Sequence, residues 1–154
     1  MIPEKQAARF SKYIADNHIK TIKQFWHGSK NENWLSIVEN GLSLNPHAAI
    51  TGKMLGNGIY FAPSSLKSWN YTSHCGCYWT NGSSQYGIMG LYATAYGKPY
   101  DATNDIRQYT ASELARGGYN CVHAKGGNGC YLRNDEVVYF SESAMCLNYI
   151  VVFE

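Results

Sequence analysis

The sequence predicts an α+β protein in which short strands outnumber short helices. Runs of β-branched and aromatic residues, bounded by glycine, proline and asparagine, favour strands, and only a few short stretches carry helical spacing of apolar residues. The chain has 154 residues, which is the usual size of one domain. Its 45% hydrophobic and 16% charged residues are typical of a globular protein. We therefore expect one domain over residues 1–154, led by a helical segment within residues 1–20.

The predicted helices are short and separated by strands. They are expected at residues 3–16, 33–40, 64–71 and 112–116. In the second helix, Trp34, Ile37 and Val38 fall on one face and Gly41 is the expected C-cap. The third helix is expected to begin with serine N-caps at Ser64.

The predicted strands are also short, and irregular segments join them. The strands are expected at residues 22–26, 58–61, 88–96, 136–140 and 149–153. Irregular structure is expected at residues 43–57, 73–86 and 126–129, the last of which is rich in glycine. The order of these elements, with strands dominating, is the basis of the α+β class.

Charge and cysteine content indicate which partners and which cellular compartment to expect. The net charge of +2 is too small to argue for a nucleic-acid partner. The first 20 residues are too polar for a secretory signal, and no apolar run approaches the length of a membrane span. An odd number of cysteines without a secretory signal indicates reduced thiols. We expect a soluble intracellular or cytoplasmic protein.

A metal site is an alternative that the sequence raises and weakly supports. The residues of suitable type are His74, Cys75, Cys77, Cys121 and His123. Paired Cys-x-x-Cys spacing is missing, and a single residue between two cysteines is tight for two ligands of one zinc ion. We therefore expect no metal and interpret the cysteines as incidental or buried thiols.

The glycine-rich stretch at residues 52–58 does not match the common nucleotide-binding motifs. No Walker A sequence occurs in the chain. A dinucleotide-binding glycine loop follows a strand and opens a helix, whereas this stretch precedes a strand. Glycine allows sharp turns and close backbone approach, so we interpret the stretch as a cover over a site.

The first block with chemical content is Phe-Trp-His-Gly-Ser at residues 25–29. A histidine at a strand end can offer a ring nitrogen to a ribose hydroxyl, and the glycine beside it leaves backbone groups open to a ligand amide. Alone, this block fits a plain strand end followed by a turn better than a binding site.

Two further blocks carry a hydroxyl, an aromatic ring and a carboxylate. In a helix, Ser68 and Tyr71 would share a face, which suits a planar carboxamide ring, although Tyr71 could equally be a core residue. Glu136, next to Asp135, heads an apolar strand. A charge there is costly unless it is hydrogen-bonded or functional, but alone it also fits a solvated strand end.

Taken together, the three blocks resemble the catalytic domain of the poly(ADP-ribose) polymerase family. The stretch at residues 25–29 is similar to the first strand motif of that family, residues 56–62 to its second, and residues 67–71 to the helix that follows. Residues 119–127 resemble the segment before its last catalytic strand. The resemblance covers roughly residues 23–153, and further agreement lies at Asn33, Trp34, Gly41, Leu42 and Gly52.

Two neighbouring carboxylates compete for the place of the family's glutamate. Counting back from Tyr149, which resembles a tyrosine in the family's last strand, selects Glu136 without a gap. Aligning on Tyr139 instead selects Asp135. We prefer Glu136 because it requires no insertion, and Phe140 then takes the place of an aromatic residue four positions later.

The resemblance implies an ADP-ribosyltransferase fold of two packed, mostly antiparallel sheets with short flanking helices. It implies a transferase that cleaves NAD⁺ at the nicotinamide–ribose bond and passes the ADP-ribose to an acceptor. The implied catalytic residues are Glu136, His27 and Tyr60. The implied NAD⁺-binding residues are His27, Gly28, Ser29, Tyr60, Lys67, Ser68 and Tyr71. Lys67 is expected to orient Glu136.

The resemblance also frames what we expect of partners and regulation. We expect NAD⁺ as substrate, a macromolecular acceptor that is protein or else nucleic acid, no membrane association and a monomeric state. A glutamate at this position implies that elongation to poly(ADP-ribose) is open to the protein. Only 26 residues precede His27, so we expect no helical regulatory domain and activity without DNA.

Three alternatives remain open at this point. The same NAD⁺ pocket would serve mono-ADP-ribosylation of a protein, a nucleic acid or a small molecule. RNA 2′-phosphotransferases share the broad fold, but their phosphate-binding arginines are not evident. A module that binds NAD⁺ or ADP-ribose without catalysis is the third.

Overall fold

The computed structural model describes residues 4–46 and 53–154. Its helices are α1 (Glu4–Asp16), α2 (Trp34–Asn40), α3 (Ser65–Trp69) and α4 (Ala111–Gly117). Two single turns of 3₁₀ helix lie at Asn31–Asn33 and Glu142–Ala144. Among the described residues, no helix is long and apolar enough to cross a membrane.

Seven strands form two sheets in the described part of the chain. The strands are β1 (Lys23–Gly28), β2 (Ile59–Phe61), β3 (Gly87–Thr94), β4 (Pro99–Asp101), β5 (Cys121–Ala124), β6 (Glu136–Tyr139) and β7 (Met145–Phe153). One sheet has the order β1-β3-β7 and the other β2-β6-β5-β4. All pairs are antiparallel except β4 with β5. The expected α+β fold with two mostly antiparallel sheets is confirmed.

The main core lies between the two sheets and under α1 and α2. Phe25 and Tyr92 enter it from the three-stranded sheet, and Phe61, Val137 and Tyr139 enter it from the four-stranded sheet. A second cluster covers the other face of the four-stranded sheet, where Val122 and Val138 are fully buried. Strand β6 is therefore buried on both faces, which explains its continuous apolar sequence after Glu136.

The first helix closes the main core at one end. Phe10 is buried, and Gln6 is 3% exposed although it is polar. Its amide nitrogen donates to the carbonyl oxygens of Ile37 and Val38, at 3.1 and 2.9 Å. These are carbonyls of the last turn of α2, and that of Ile37 also accepts from the N–H of Gly41 at 2.9 Å. The side chain of Gln6 thus joins α1 to the C-terminal end of α2, an interaction that apolar spacing did not predict.

Some predicted element bounds are corrected by the structure. The third helix ends at Trp69, and residues up to Thr72 continue as a turn with bonds between residues three apart, as from Tyr71 N–H to Ser68 O at 3.1 Å. Ser64 begins this helix without a side-chain capping bond. Strands β4 and β5 were not predicted, and β7 begins four residues before the predicted start at Tyr149.

Gly56 and Gly58, at the end of the glycine-rich stretch, pack closely against other residues of the chain. A Cβ at Gly56 would lie 2.3 Å from the carbonyl oxygen of Tyr109, and one at Gly58 would lie 2.4 Å from Val138. Gly56 also has a φ of +107°. Gly58 is therefore required for close packing against β6, and Gly56 for close packing against the segment before α4. Residues 47–52, including Gly52, lie outside the described residues.

Candidate active site

Strands β2 and β6 bring a tyrosine and a carboxylate to one face of the four-stranded sheet. Tyr60 pairs with Val138 in the antiparallel ladder, and residues opposite each other point to the same face. Glu136 lies two residues before Val138 and therefore shares that face. The Tyr60 hydroxyl donates to Gly56 O at 2.8 Å and accepts from Leu55 N–H at 2.9 Å. Both bonds hold its ring beside Glu136.

The carboxylate of Glu136 is nearly buried and only half satisfied. The side chain of Lys67 on α3 donates to its Oε1, and the same ammonium lies 3.4 Å from the Asn134 carbonyl oxygen. Glu136 is 7% exposed, and its Oε2 has no hydrogen-bond partner among the described residues. A buried carboxylate oxygen without a hydrogen-bond donor costs folding free energy, so this atom is suited to accept a hydrogen bond from a ligand hydroxyl.

A second group of residues meets where β1 ends against α3. A Cβ added at Gly28 would lie 1.9 Å from Ser68 O and 3.4 Å from the Cβ of Tyr71. Glycine at position 28 is therefore required for the strand to approach the end of α3 so closely. Ser68 is 4% exposed, and its hydroxyl donates to Trp26 O at 3.0 Å. The structure brings Gly28, Ser68 and Tyr71 together.

The last two predicted site residues flank Gly28. The Nδ1 of His27 donates to Tyr60 O at 2.8 Å, which leaves Nε2 of the neutral ring as an acceptor. Loss of water contact lowers the pKa of His27, and the bond to Tyr60 only partly offsets this effect. The ring is therefore neutral at physiological pH. Ser29 accepts a bond from Asn33 at 2.9 Å.

Both tyrosines of the site are held in the neutral form. Burial raises the pKa of Tyr60 and of Tyr71, and the nearby charge of Glu136 raises both further. The hydrogen bond from His27 to Tyr60 O connects the group at the end of β1 with the group around Glu136.

Asp135, the competing carboxylate, points to the other face of the sheet. Its Oδ2 accepts from His123 Nε2 at 2.9 Å, and its Oδ1 accepts from Gly126 N–H at 2.9 Å. The hydroxyl of Tyr96 completes the chain, 2.8 Å from His123 Nδ1. Side chains alternate along a strand, so neighbouring Asp135 and Glu136 serve different environments.

The metal alternative gains no support from the described residues. No group of three or more histidine, cysteine, aspartate or glutamate side chains there could hold an ion. His123 is occupied by Tyr96 and Asp135. Cys121 is fully buried, whereas Cys75 is exposed.

One aromatic residue beside the site was not singled out from the sequence. Trp79, in the irregular segment after α3, lies with its ring 6.3 Å from that of Tyr71, and the two planes are within 19° of parallel. A tryptophan in a segment without periodicity gives no indication of its neighbours, because the path of the chain there is set by side-chain and backbone hydrogen bonds.

Comparison with known proteins agrees with this arrangement. A family model described as the poly(ADP-ribose) polymerase catalytic domain matches residues 4–137. A putative poly(ADP-ribose) polymerase-like protein of Invertebrate iridescent virus 6 is 29% identical over 96% of this chain and 79% of its own length.

Cellular relatives match over a smaller part of their length. Protein mono-ADP-ribosyltransferase PARP3 of Gallus gallus is 34% identical over 74% of this chain but only 19% of its own length. Poly(ADP-ribose) polymerase 2 of Homo sapiens is 55% identical over 30% of this chain and 8% of its own length. The chain thus spans less than a fifth of these cellular relatives. By the family model that covers most of its residues, the chain belongs to the poly(ADP-ribose) polymerase family of ADP-ribosyltransferases, whose substrate is NAD⁺.

Proposed function

We propose that this chain cleaves NAD⁺ at the nicotinamide–ribose bond and transfers the ADP-ribose to an acceptor, with Glu136 as the catalytic carboxylate. The observation that carries the proposal is the burial and hydrogen bonding of the Glu136 carboxylate. One oxygen of Glu136 is bound by Lys67, while the other is buried and has no hydrogen-bond partner among the described residues.

The nicotinamide ring would lie at the end of β1. Gly28 approaches the backbone of Ser68 closely, the Ser68 hydroxyl donates to the carbonyl oxygen of Trp26, and Tyr71 offers a neutral ring for stacking. Tyr60, fixed through its hydroxyl, would close the space opposite Glu136. A planar carboxamide matches this set because it needs one donor, one acceptor and a flat apolar wall.

The adenine-side ribose would lie next to His27 and Ser29. Since Nδ1 of His27 donates to Tyr60 O, the neutral Nε2 can accept from a ribose hydroxyl. Ser29 is oriented by Asn33 and can contribute a second polar contact. His27 and Ser29 flank Gly28 at the end of β1, which fits a single extended ligand running from nicotinamide to adenosine.

The chemistry follows from the free oxygen of Glu136. This oxygen would accept a hydrogen bond from the 2′-hydroxyl of the nicotinamide ribose. Nicotinamide leaves with the electrons of the glycosidic bond, and the carboxylate would stabilise the positive charge that develops on the ribose. Such an electrostatic contribution is worth about 3–4 kcal/mol. The acceptor oxygen then bonds to the ribose carbon and gives up its proton, for which Glu136 is the base. General-base assistance contributes about 10²–10⁴-fold.

We further propose that the acceptor is a macromolecule, with protein favoured over nucleic acid. The net charge of +2 provides no strong basic surface for a nucleic acid. Relatives bear the names of both a mono-ADP-ribosyltransferase and polymerases, and a glutamate at position 136 is compatible with elongation. Product length therefore has to be measured.

The test is nicotinamide release from NAD⁺, with the labelled product resolved on a gel. Glu136→Gln keeps the shape but removes the charge, and we expect release to fall by about 10²–10³-fold. Asp135→Asn is the matched control, because asparagine still offers an acceptor to Gly126 N–H, and release should remain far above that of Glu136→Gln.

The product distinguishes the two forms of transfer. A ladder of labelled species indicates polymer, and one shifted band indicates mono-transfer. Equal release by wild type and Glu136→Gln would refute the assignment of Glu136. A folded wild type that binds NAD⁺ without releasing nicotinamide would indicate a binding module.

A further inference from the structure

The segment that follows α3 exposes two large aromatic side chains next to each other. Tyr78 is 75% exposed and Trp79 is 52% exposed. Their rings pack edge to face, with centroids 4.8 Å apart. Clustered exposed aromatic residues on a soluble domain commonly mark a binding site, which prompts the question of what these rings contact in the working protein.

The exposure is not the result of a loosely attached segment. Immediately before the pair, Cys77 is 2% exposed and its thiol donates to Trp69 O at 3.0 Å. Immediately after it, the hydroxyl of Thr80 donates to Thr72 O at 2.5 Å. Both acceptors belong to the end of α3 and the turn that follows it. The chain therefore holds Tyr78 and Trp79 in a fixed place beside Tyr71.

The orientation of Trp79 points to its partner. Its ring lies within 19° of parallel to the ring of Tyr71, with centroids 6.3 Å apart. The indole of Trp79 thus packs directly on the ring of Tyr71 in a nearly parallel arrangement. Aromatic groups interact favourably in offset parallel arrangements at centroid distances of about 4.5–7 Å.

We propose that Trp79 is a positioning residue for binding of the nicotinamide ring of NAD⁺, because it packs on Tyr71 and holds that ring in place for stacking. This inference rests on the proposed function, which places nicotinamide at Tyr71. Trp79 contributes to binding of the ring through Tyr71 and takes no part in bond cleavage, since among the described residues neither a hydrogen bond nor an ion pair joins it to Glu136 or Lys67. Its loss therefore weakens substrate binding more than it slows the chemical step.

The test compares nicotinamide binding by calorimetry in wild type, Trp79→Ala, Trp79→Leu and Trp79→Phe. An aromatic pair contributes about 3- to 10-fold in affinity, so Trp79→Ala and Trp79→Leu should weaken binding by that factor, and Trp79→Phe should restore most of it. With NAD⁺ as substrate, KM should rise by a similar factor while kcat changes by less than about twofold.

Tyr86→Ala is the matched control. Tyr86 is 47% exposed in the same segment, and among the described residues its ring forms no aromatic pair with Tyr71. This variant should bind nicotinamide as wild type does.

The outcomes separate the two proposals. Failure of folded wild type to bind nicotinamide would overturn the proposed function and this inference together. If Trp79→Ala or Trp79→Leu binds nicotinamide with the affinity of wild type, this inference alone is overturned. The exposed rings would then serve a different partner. If Trp79→Ala does not fold, the difference between Trp79→Leu and Trp79→Phe decides the question.

Discussion

At the scale of single residues, Lys67 forms an ion pair with Glu136, whose nearly buried carboxylate lies on a face of the four-stranded sheet. The side chains are 17% and 10% exposed, so water compensates neither of them well. We expect Lys67→Met to lower the free energy of unfolding by about 1–3 kcal/mol, because Glu136 is left as an unpaired buried charge. Denaturant unfolding followed by circular dichroism measures this loss.

The matching control is the double variant Lys67→Met with Glu136→Gln. Removing both charges removes the unpaired one, so the double variant should be more stable than Lys67→Met alone. Additive losses in the two single variants would show that the contact has no energetic coupling.

Gly28 is a second residue whose identity is fixed by its neighbours. A Cβ at this position would lie 1.9 Å from Ser68 O, which is backbone and cannot rotate away. We expect Gly28→Ala to separate β1 from α3, to destabilise the fold by about 1–3 kcal/mol and to abolish nicotinamide binding. Thermal unfolding and calorimetry with nicotinamide measure the two effects.

Gly118→Ala separates stability from binding in this experiment. Gly118 ends α4 with a φ of +69°, and a Cβ there would meet nothing within 4 Å. Backbone strain alone should cost about 1–3 kcal/mol without altering nicotinamide affinity. Unchanged binding in Gly28→Ala would contradict the close approach of β1 and α3.

The residues of the candidate site were selected from the sequence because three short blocks occur in the order of the family's motifs. His27, Tyr60 and Glu136 were each ambiguous alone, and only their order along the chain identified a family. Trp79 could not be found in this way, since its position depends on the bonds of Cys77 and Thr80 to the end of α3. The chain of contacts from Tyr96 to Asp135 was missed for a similar reason: it joins residues 39 positions apart in sequence.

At the scale of elements, α4 illustrates how a short helix is stabilised by its first turn. Thr110 is the N-cap, and its hydroxyl accepts from Glu113 N–H at 3.3 Å. Leu114 is the buried residue of this helix. We expect Thr110→Ala to lower the free energy of unfolding by about 1 kcal/mol, because an N–H of the first turn loses its acceptor. Chemical denaturation measures the loss.

Ser112→Ala is the control within the same helix. Ser112 is exposed, and alanine has the higher helix propensity, so this variant should be neutral or slightly stabilising. Equal losses in the two variants would refute the capping role of Thr110.

Element type was easier to predict than element extent. Strand β6 was predicted because Val137 and Val138 follow one another in an apolar run, whereas β4 has only three residues and begins with proline. The helix at residues 64–71 was predicted too long, because apolar and aromatic residues continue past Trp69 while the backbone changes to bonds between residues three apart. Short strands at a sheet edge depend on their partners more than on their own sequence.

At the scale of the whole molecule, buried polar contacts join the two sheets. The hydroxyl of Tyr139 on β6 donates to the hydroxyl of Thr94 on β3 at 2.8 Å, and both residues are fully buried. A backbone bridge between Trp26 and Ala62 joins β1 to the end of β2. These contacts fix the relative position of the sheets, and the candidate site lies where they meet.

A buried cross-sheet hydrogen bond should be visible in a double-mutant cycle. Thr94→Val leaves the hydroxyl of Tyr139 without an acceptor, which should lower the free energy of unfolding by about 1–3 kcal/mol. Adding Tyr139→Phe should recover part of that loss, because no buried donor then remains. Denaturant midpoints of the four proteins measure the coupling, and strict additivity would argue against a hydrogen bond between the sheets.

The contact of Asp135 with His123 lies within the four-stranded sheet, and it makes stability depend on pH. Partial burial acts to raise the pKa of Asp135, but the bonds from Gly126 N–H and His123 and the charge of Lys125 outweigh it, so the pKa lies below its ordinary value of 3.8. A group whose pKa is depressed in the folded state stabilises the protein above its ordinary pKa, and that contribution is lost as the pH falls through the folded value. The difference in unfolding free energy between wild type and Asp135→Asn should therefore be constant near neutral pH and shrink below about pH 4.

Asp16→Asn is the control, since the Lys12–Asp16 pair on α1 is exposed and worth little at any pH. A difference between wild type and Asp135→Asn that does not change with pH would mean that the ionised carboxylate does not hold β5 and β6 against Tyr96.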